Sequence, residues 1–78
     1  MTDTEKLKQY IVNSGLKQTY IAKQLGLSSY GFARKRDNES EFLPSEIDKL
    51  CQILRIDSIE ERFVIFFADK VENKSTVE

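Results

Sequence analysis

Apolar residues recur along this chain in short bursts at three- and four-residue spacing, separated by polar stretches that hold the glycines, most of the serines and the one proline. That rhythm is helical. Leu7, Ile11 and the adjoining Tyr10 follow a Thr4 start and run into Asn13-Ser14-Gly15, which supplies stop signals, so the pattern predicts a first helix over 4–14 with Leu16 anchored beyond it. Gln18 to Leu25 sets Ile21, Ala22 and Leu25 on one face. Gly26 follows at once, and its missing side chain lets the backbone take the left-handed conformation that ends a helix. Ser28 or Ser29 can accept a bond from the free amides of a third helix, predicted from about 28 to 37 with Leu27 and Phe32 facing inward. Two short helices thus meet across a tight turn.

Residues 38–43 show no sustained period and read as a loop, anchored by Phe42 and Leu43. Pro44 fixes the start of the next helix. Ile47, Leu50, Cys51 and Leu54 fall at i, i+3, i+4 and i+7, the cleanest amphipathic stripe in the chain, and predict a fourth helix over 45–55 in which Cys51 is core. Ser58-Ile59-Glu60-Glu61 has the form of a capping box and opens a fifth helix expected to run to about Glu72. Within it, Phe63 to Ala68 is a continuous apolar run, which we assign to helix. Ile59, Phe63, Phe66 and Phe67 would then cover the core, leaving Val64 and Ile65, with Phe67 and Ala68, for a self-association face. The expected organisation is one all-α domain over 1–72 and a frayed tail over 73–78.

Composition narrows the chemistry. A domain near 78 residues buries only about 60% of its unfolded surface, and at 40% hydrophobic and 32% charged the chain is that of a single globular unit. Histidine is absent, which removes the commonest general base and metal ligand, and the carboxylates, lysines and lone Cys51 form no spaced catalytic constellation. No catalytic residue, metal ligand, cofactor or small-molecule substrate is expected. No apolar run of about 18 residues could span a membrane, and Met1 to Glu5 lacks the basic flank and apolar stretch of a signal peptide. Together with the single cysteine, this gives a cytoplasmic expectation.

Net charge is −1, yet its distribution is uneven. Residues 17–36 carry Lys17, Lys23, Arg34, Lys35 and Arg36 with no acid, whereas residues 37–61 carry Asp37, Glu39, Glu41, Glu46, Asp48, Asp57, Glu60 and Glu61 against Lys49 and Arg55. One segment could approach a polyanion while its neighbour would be repelled, orienting the molecule; on charge alone, two solvated helix faces are the favoured alternative.

From Gln18 through Asp37, Ala22, Gly26, Leu27 and Phe32 stand where a helix-turn-helix needs a small residue, a turn glycine and two apolar contacts. Alanine allows close helix approach, glycine permits the sharp turn, and the apolar pair locks the later helix so that its outer face can enter a major groove. On these residues the chain resembles the small helix-turn-helix regulators of the phage lambda repressor and Cro type, the Xre group. The likeness covers roughly residues 4–57, carried by Gln18-Thr19-Tyr20-Ile21-Ala22-Lys23-Gln24-Leu25-Gly26-Leu27-Ser28 and by Ile47, Leu50 and Leu54. Tyr30-Gly31-Phe32, Asn38-Glu39-Ser40-Glu41-Phe42 and Ile65-Phe66-Phe67-Ala68 resemble a subgroup found in phages and prophages of Gram-positive bacteria.

The resemblance implies a five-helix lambda-repressor-like DNA-binding domain acting as a homodimer on double-stranded DNA. Gln18 would bond a phosphate, and Ser28, Ser29, Tyr30, Ala33 and Arg34 would face bases or backbone, with the planar fork of Arg34 suited to the two acceptors of a guanine. Lys17, Lys23, Lys35 and Arg36 would supply counterion release. Four residues depart from the family pattern. Lys17 stands where a capping Thr or Ser is common, at a cost of about 1 kcal/mol unless another group compensates. Lys35 replaces an apolar residue and must snorkel or accompany a rotated helix. Gly31 costs ~1 kcal/mol inside a helix and calls for close packing against a neighbouring helix or the DNA backbone. Asp37 would repel phosphate unless it accepts from a cytosine amine. The competing class is a protein-interaction module, an antitoxin or anti-repressor that uses the acidic fourth and fifth helices.

Overall fold

The helix boundaries are set by local capping groups. In a computed structural model, which describes residues 1–68, these residues form five α-helices and no strand. Helix α1, Thr4–Ser14, starts where the Asp3 carboxylate accepts the Lys6 amide at 3.1 Å and stops at Gly15, whose φ of 73° is left-handed. Helix α2, Gln18–Gln24, is ended by Gly26 at φ 74°, and the turn is closed by the Leu27 amide donating to the Ala22 carbonyl at 2.9 Å. Helix α3, Ser29–Arg36, is capped by the Ser28 hydroxyl. Helix α4, Pro44–Leu54, begins with proline at a position that has no intrahelical partner for an N–H, and helix α5, Ile59–Phe66, begins at Ser58. The all-α class and the helix order follow the sequence pattern.

All five helices feed one core. Leu7 and Ile11 from α1, Ile21 and Ala22 from α2, Phe32 from α3, Leu50, Cys51 and Leu54 from α4, and Ile65 and Phe66 from α5 are buried together, joined by Phe42 and Ile56 from the connecting segments. Phe42 lies between two rings, edge-on to Phe32 at 6.0 Å and to Phe66 at 5.8 Å between centroids. It ties α3 to α5. Burial pushes the Cys51 thiol above its ordinary pKa, which keeps it a protonated packing group.

The structure corrects four expectations. Helix α5 ends at Phe66 rather than near Glu72, because Phe67 leaves helical geometry and the Ala68 amide donates to the Met1 carbonyl at 2.9 Å. The predicted tail over 73–78 lies outside the described residues. The core face of α5 is Ile65 and Phe66, while Ile59, Phe63 and Phe67 are exposed. A continuous apolar run offers no period that selects a face, and the choice falls to partners distant in sequence: Phe42 receives Phe66, and the Asp3 amide bonds the Ile65 carbonyl at 2.6 Å. Ile65 is therefore unavailable to a self-association face. Leu43 and Leu16 are not buried anchors, at 55% and 36% exposure. Finally, the capping box at Ser58 is half made: its hydroxyl accepts the Glu61 amide at 3.2 Å, but Glu61 is turned toward Lys6, 3.9 Å away.

Candidate nucleic-acid interface

Helices α2 and α3 pack on each other, with Ala22 buried on α2 and Phe32 buried on α3. Inward placement of Phe32 turns Tyr30 and Arg34 outward on α3, Ser29 is exposed in its first turn, and Ala33 is half-buried. Lys17, Gln18 and Lys23 are exposed on the neighbouring helix and its cap. The structure thus brings together, on adjoining elements, most of the residues singled out from the sequence.

Several of those residues already have partners within the chain. Ser28 is the cap of α3, accepting the Gly31 amide at 2.9 Å. This contact also accounts for Gly31, since a Cβ there would stand 3.1 Å from the Ser28 hydroxyl; the glycine leaves room for the cap rather than for a neighbouring helix. The Lys35 ammonium lies 2.6 Å from the Glu46 carboxylate, with side-chain exposures of only 14% and 10%. The same Glu46 oxygen accepts the Leu43 amide at 2.9 Å, so one carboxylate caps α4 and holds the last turn of α3. Lys35 neither snorkels nor stays available to a phosphate.

Arg36 is occupied as well. Its Nε and Nη2 donate to the two Asp37 carboxylate oxygens at 2.8 and 2.9 Å, and its Nη1 donates to the Gln18 carboxamide oxygen. The Arg36 hydrogen bond holds the Asp37 carboxyl below its ordinary pKa. With its oxygen taken, Gln18 keeps its amide nitrogen as the group able to donate to a phosphate. Arg34 is exposed, with its guanidinium 6.0 Å from the centre of the Tyr30 ring. Its Nη2 donates to the Glu39 carbonyl at 3.3 Å, and its Nε is 3.6 Å from the Glu39 carboxylate. Lys17 and Lys23 have no ion pair among the described residues, and Lys17 caps α2 without a side-chain bond.

The charge segregation along the chain is therefore partly undone in three dimensions: Glu39, Asp37 and Glu46 from the acidic stretch neutralise Arg34, Arg36 and Lys35. Sequence reading missed Glu39 and Glu46 as parts of this surface. The misfit of Lys35 on an apolar face was the one available signal, since a lysine there needs an acid within reach.

Elsewhere on the surface, Asp3, Glu5, Lys6, Gln9, Tyr10, Asn13 and Glu61 line an open groove of about 470 Å³. Burial, and then the Glu61 carboxylate, raise the Tyr10 hydroxyl above its ordinary pKa. Among the described residues no group of three His, Cys, Asp or Glu side chains could hold a metal ion, and no helix is long and apolar enough to cross a membrane. At the end of α5, the exposed rings of Phe63 and the following Phe67 stack at 5.5 Å, and Ile59 is exposed at its start. Comparison of the chain with protein-family models, curated proteins and solved structures yields no match.

Proposed function

We propose that this chain is a sequence-specific double-stranded DNA-binding transcriptional regulator of the lambda repressor and Cro type, with α2 and α3 as its helix-turn-helix and α3 in the major groove. One observation carries the reading: a seven-residue helix, a left-handed glycine and a second short helix locked by Phe32 leave Tyr30 and Arg34 outward together, with Ser29 exposed at the start of α3. Arg34 reads a base, Tyr30 packs beside it, and Lys17, Lys23 and the Gln18 amide contact phosphates. Lys35 and Arg36, compensated inside the chain, belong to the scaffold. The chain acts as a dimer on a two-fold site with half-sites about one helical turn apart, and the exposed Ile59, Phe63 and Phe67 strip is the face that joins the copies.

Selection from random duplexes, followed by salt titration of the winning site and sizing of the free protein, tests this. Arg34→Ala should relax specificity at one base pair by ~1–3 kcal/mol. Lys17→Ala should weaken binding to all sequences alike and flatten the salt slope by about one unit. With Lys17 and Lys23 as the cations left to meet phosphates, the slope per chain should be about −2, against about −4.5 if all five cations met phosphates. Absence of binding to any duplex at low ionic strength overturns the reading. The internal neutralisation of Lys35 and Arg36 favours the second reading, a protein-interaction module working through its acidic helices, and unchanged biological activity after Lys17, Lys23 and Arg34 are all replaced would select it.

A further inference from the structure

Arg34 is met on one edge by the turn that follows α3. The backbone after α3 closes with the Asn38 amide donating to the Lys35 carbonyl at 3.3 Å and the Glu39 amide donating to the Arg34 carbonyl at 2.8 Å. This paired arrangement requires a left-handed residue between helix and loop, and Asn38, at φ 68°, is one of the few non-glycine types that tolerates it. Its side chain is fixed in turn: Asn38 Oδ1 accepts the Thr2 amide at 2.8 Å, and Nδ2 donates to the Thr2 carbonyl at 2.7 Å. The reversal brings Glu39 back beside the residue whose carbonyl it bonds. Its carbonyl takes one Nη2 proton of Arg34 and its carboxylate faces Nε. The Nε edge of the guanidinium is thereby engaged, while Nη1 and the second Nη2 proton form an open, two-donor end with no partner among the described residues.

We propose that Glu39 is a positioning residue that sets the sequence specificity of this surface, acting through Arg34. This rests on the DNA-binding reading above. Two effects operate together. The carboxylate orients the fork so that its free end meets the two acceptors of a guanine, and it screens Arg34 from phosphate by offering a negative charge of its own. A phosphate must compete with Glu39 for the cation and approach a like charge. A base edge carries no net charge and meets donors already aimed at it. The contact therefore favours the correct base over unspecific backbone binding, which is discrimination by building in a repulsive element.

The test compares Glu39→Gln with wild type on the selected duplex and on a random duplex of equal length. Glutamine keeps the backbone turn and the size of the side chain while removing the charge, so the melting temperature should not move. Binding to random DNA should strengthen more than binding to the selected site, and the ratio of the two affinities should fall by about two- to fivefold, the range for an exposed ion pair. In an Arg34→Ala background the same change should leave the ratio untouched. A ratio that holds in Glu39→Gln, or that falls equally without Arg34, overturns the assignment while the DNA-binding reading stands. A wild-type chain that binds no duplex overturns both.

Discussion

Lys35→Ala is expected to lower the unfolding free energy by about 3–5 kcal/mol, read as a shift of the urea midpoint with unchanged slope. The pair it breaks lies at 2.6 Å with both side chains largely covered, so little solvent is present to take over the role of the lost ammonium. Glu46 cannot swing away, because its carboxylate also holds the Leu43 amide at the start of α4. Removing the cation therefore leaves a buried charge with a single hydrogen bond, the costly case for ion pairs. Replacing both partners is a different matter: Lys35→Met with Glu46→Gln keeps the apolar stem and the bond to Leu43, and should recover most of the loss. A Lys35→Ala cost below about 1 kcal/mol would mean that the pair is as screened as a surface one.

That pair also bears on the proposed DNA binding. Lys35 sits between Arg34 and Arg36, and from sequence the three read as one basic run available to a polyanion. Folding sorts them by direction: Arg34 outward, Arg36 sideways onto Asp37 and Gln18, Lys35 back onto Glu46. Three adjacent positions on a helix point about 100° apart, so a run of like charges cannot face one partner together. The effective charge of the surface is smaller than the run implies, and under the proposed DNA-binding reading the base contact would rest on Arg34.

What sequence made legible was whatever is decided locally. Helix α1 falls on the predicted residues because Asp3 and Gly15 cap it within their own neighbourhood, and the α2 to α3 turn falls at Gly26 for the same reason. The Lys17 expectation also holds, since no side chain caps α2. Choices made across long separations were hidden. The face of α5 was one, because its apolar run contains candidates for any direction and only Phe42 and the backbone of Asp3 select Ile65 and Phe66. The partner of Lys35 was another, eleven residues away across a loop of no period. Glu39 beside Arg34 depends on the left-handed turn at Asn38, and asparagine alone does not announce one.

The loop residues Phe42 and Leu43 separate these two kinds of knowledge in a single experiment. Both are large, apolar and adjacent, and composition gives no reason to rank them. Phe42 is buried between Phe32 and Phe66 with edge-on geometry to each, whereas Leu43 caps α4 through its backbone and leaves its side chain 55% exposed. Phe42→Ala should cost about 3–5 kcal/mol, from lost burial and the cavity left behind. At about 4–8 °C per kcal/mol for a domain of this size, and against a total stability of about 5–15 kcal/mol, thermal melting should show a large shift or an unfolded chain. Leu43→Ala should stay within about 0.5–1 kcal/mol, since little of the side chain leaves water on folding. Phe42→Leu supplies a folded intermediate case, keeping apolar volume while removing both ring contacts, and should fall between the two. If Leu43→Ala proved the more damaging, the loop would be packed the other way round. The aromatic link from α3 to α5, and with it the orientation of α3 relative to the rest of the core, would then have to be redrawn.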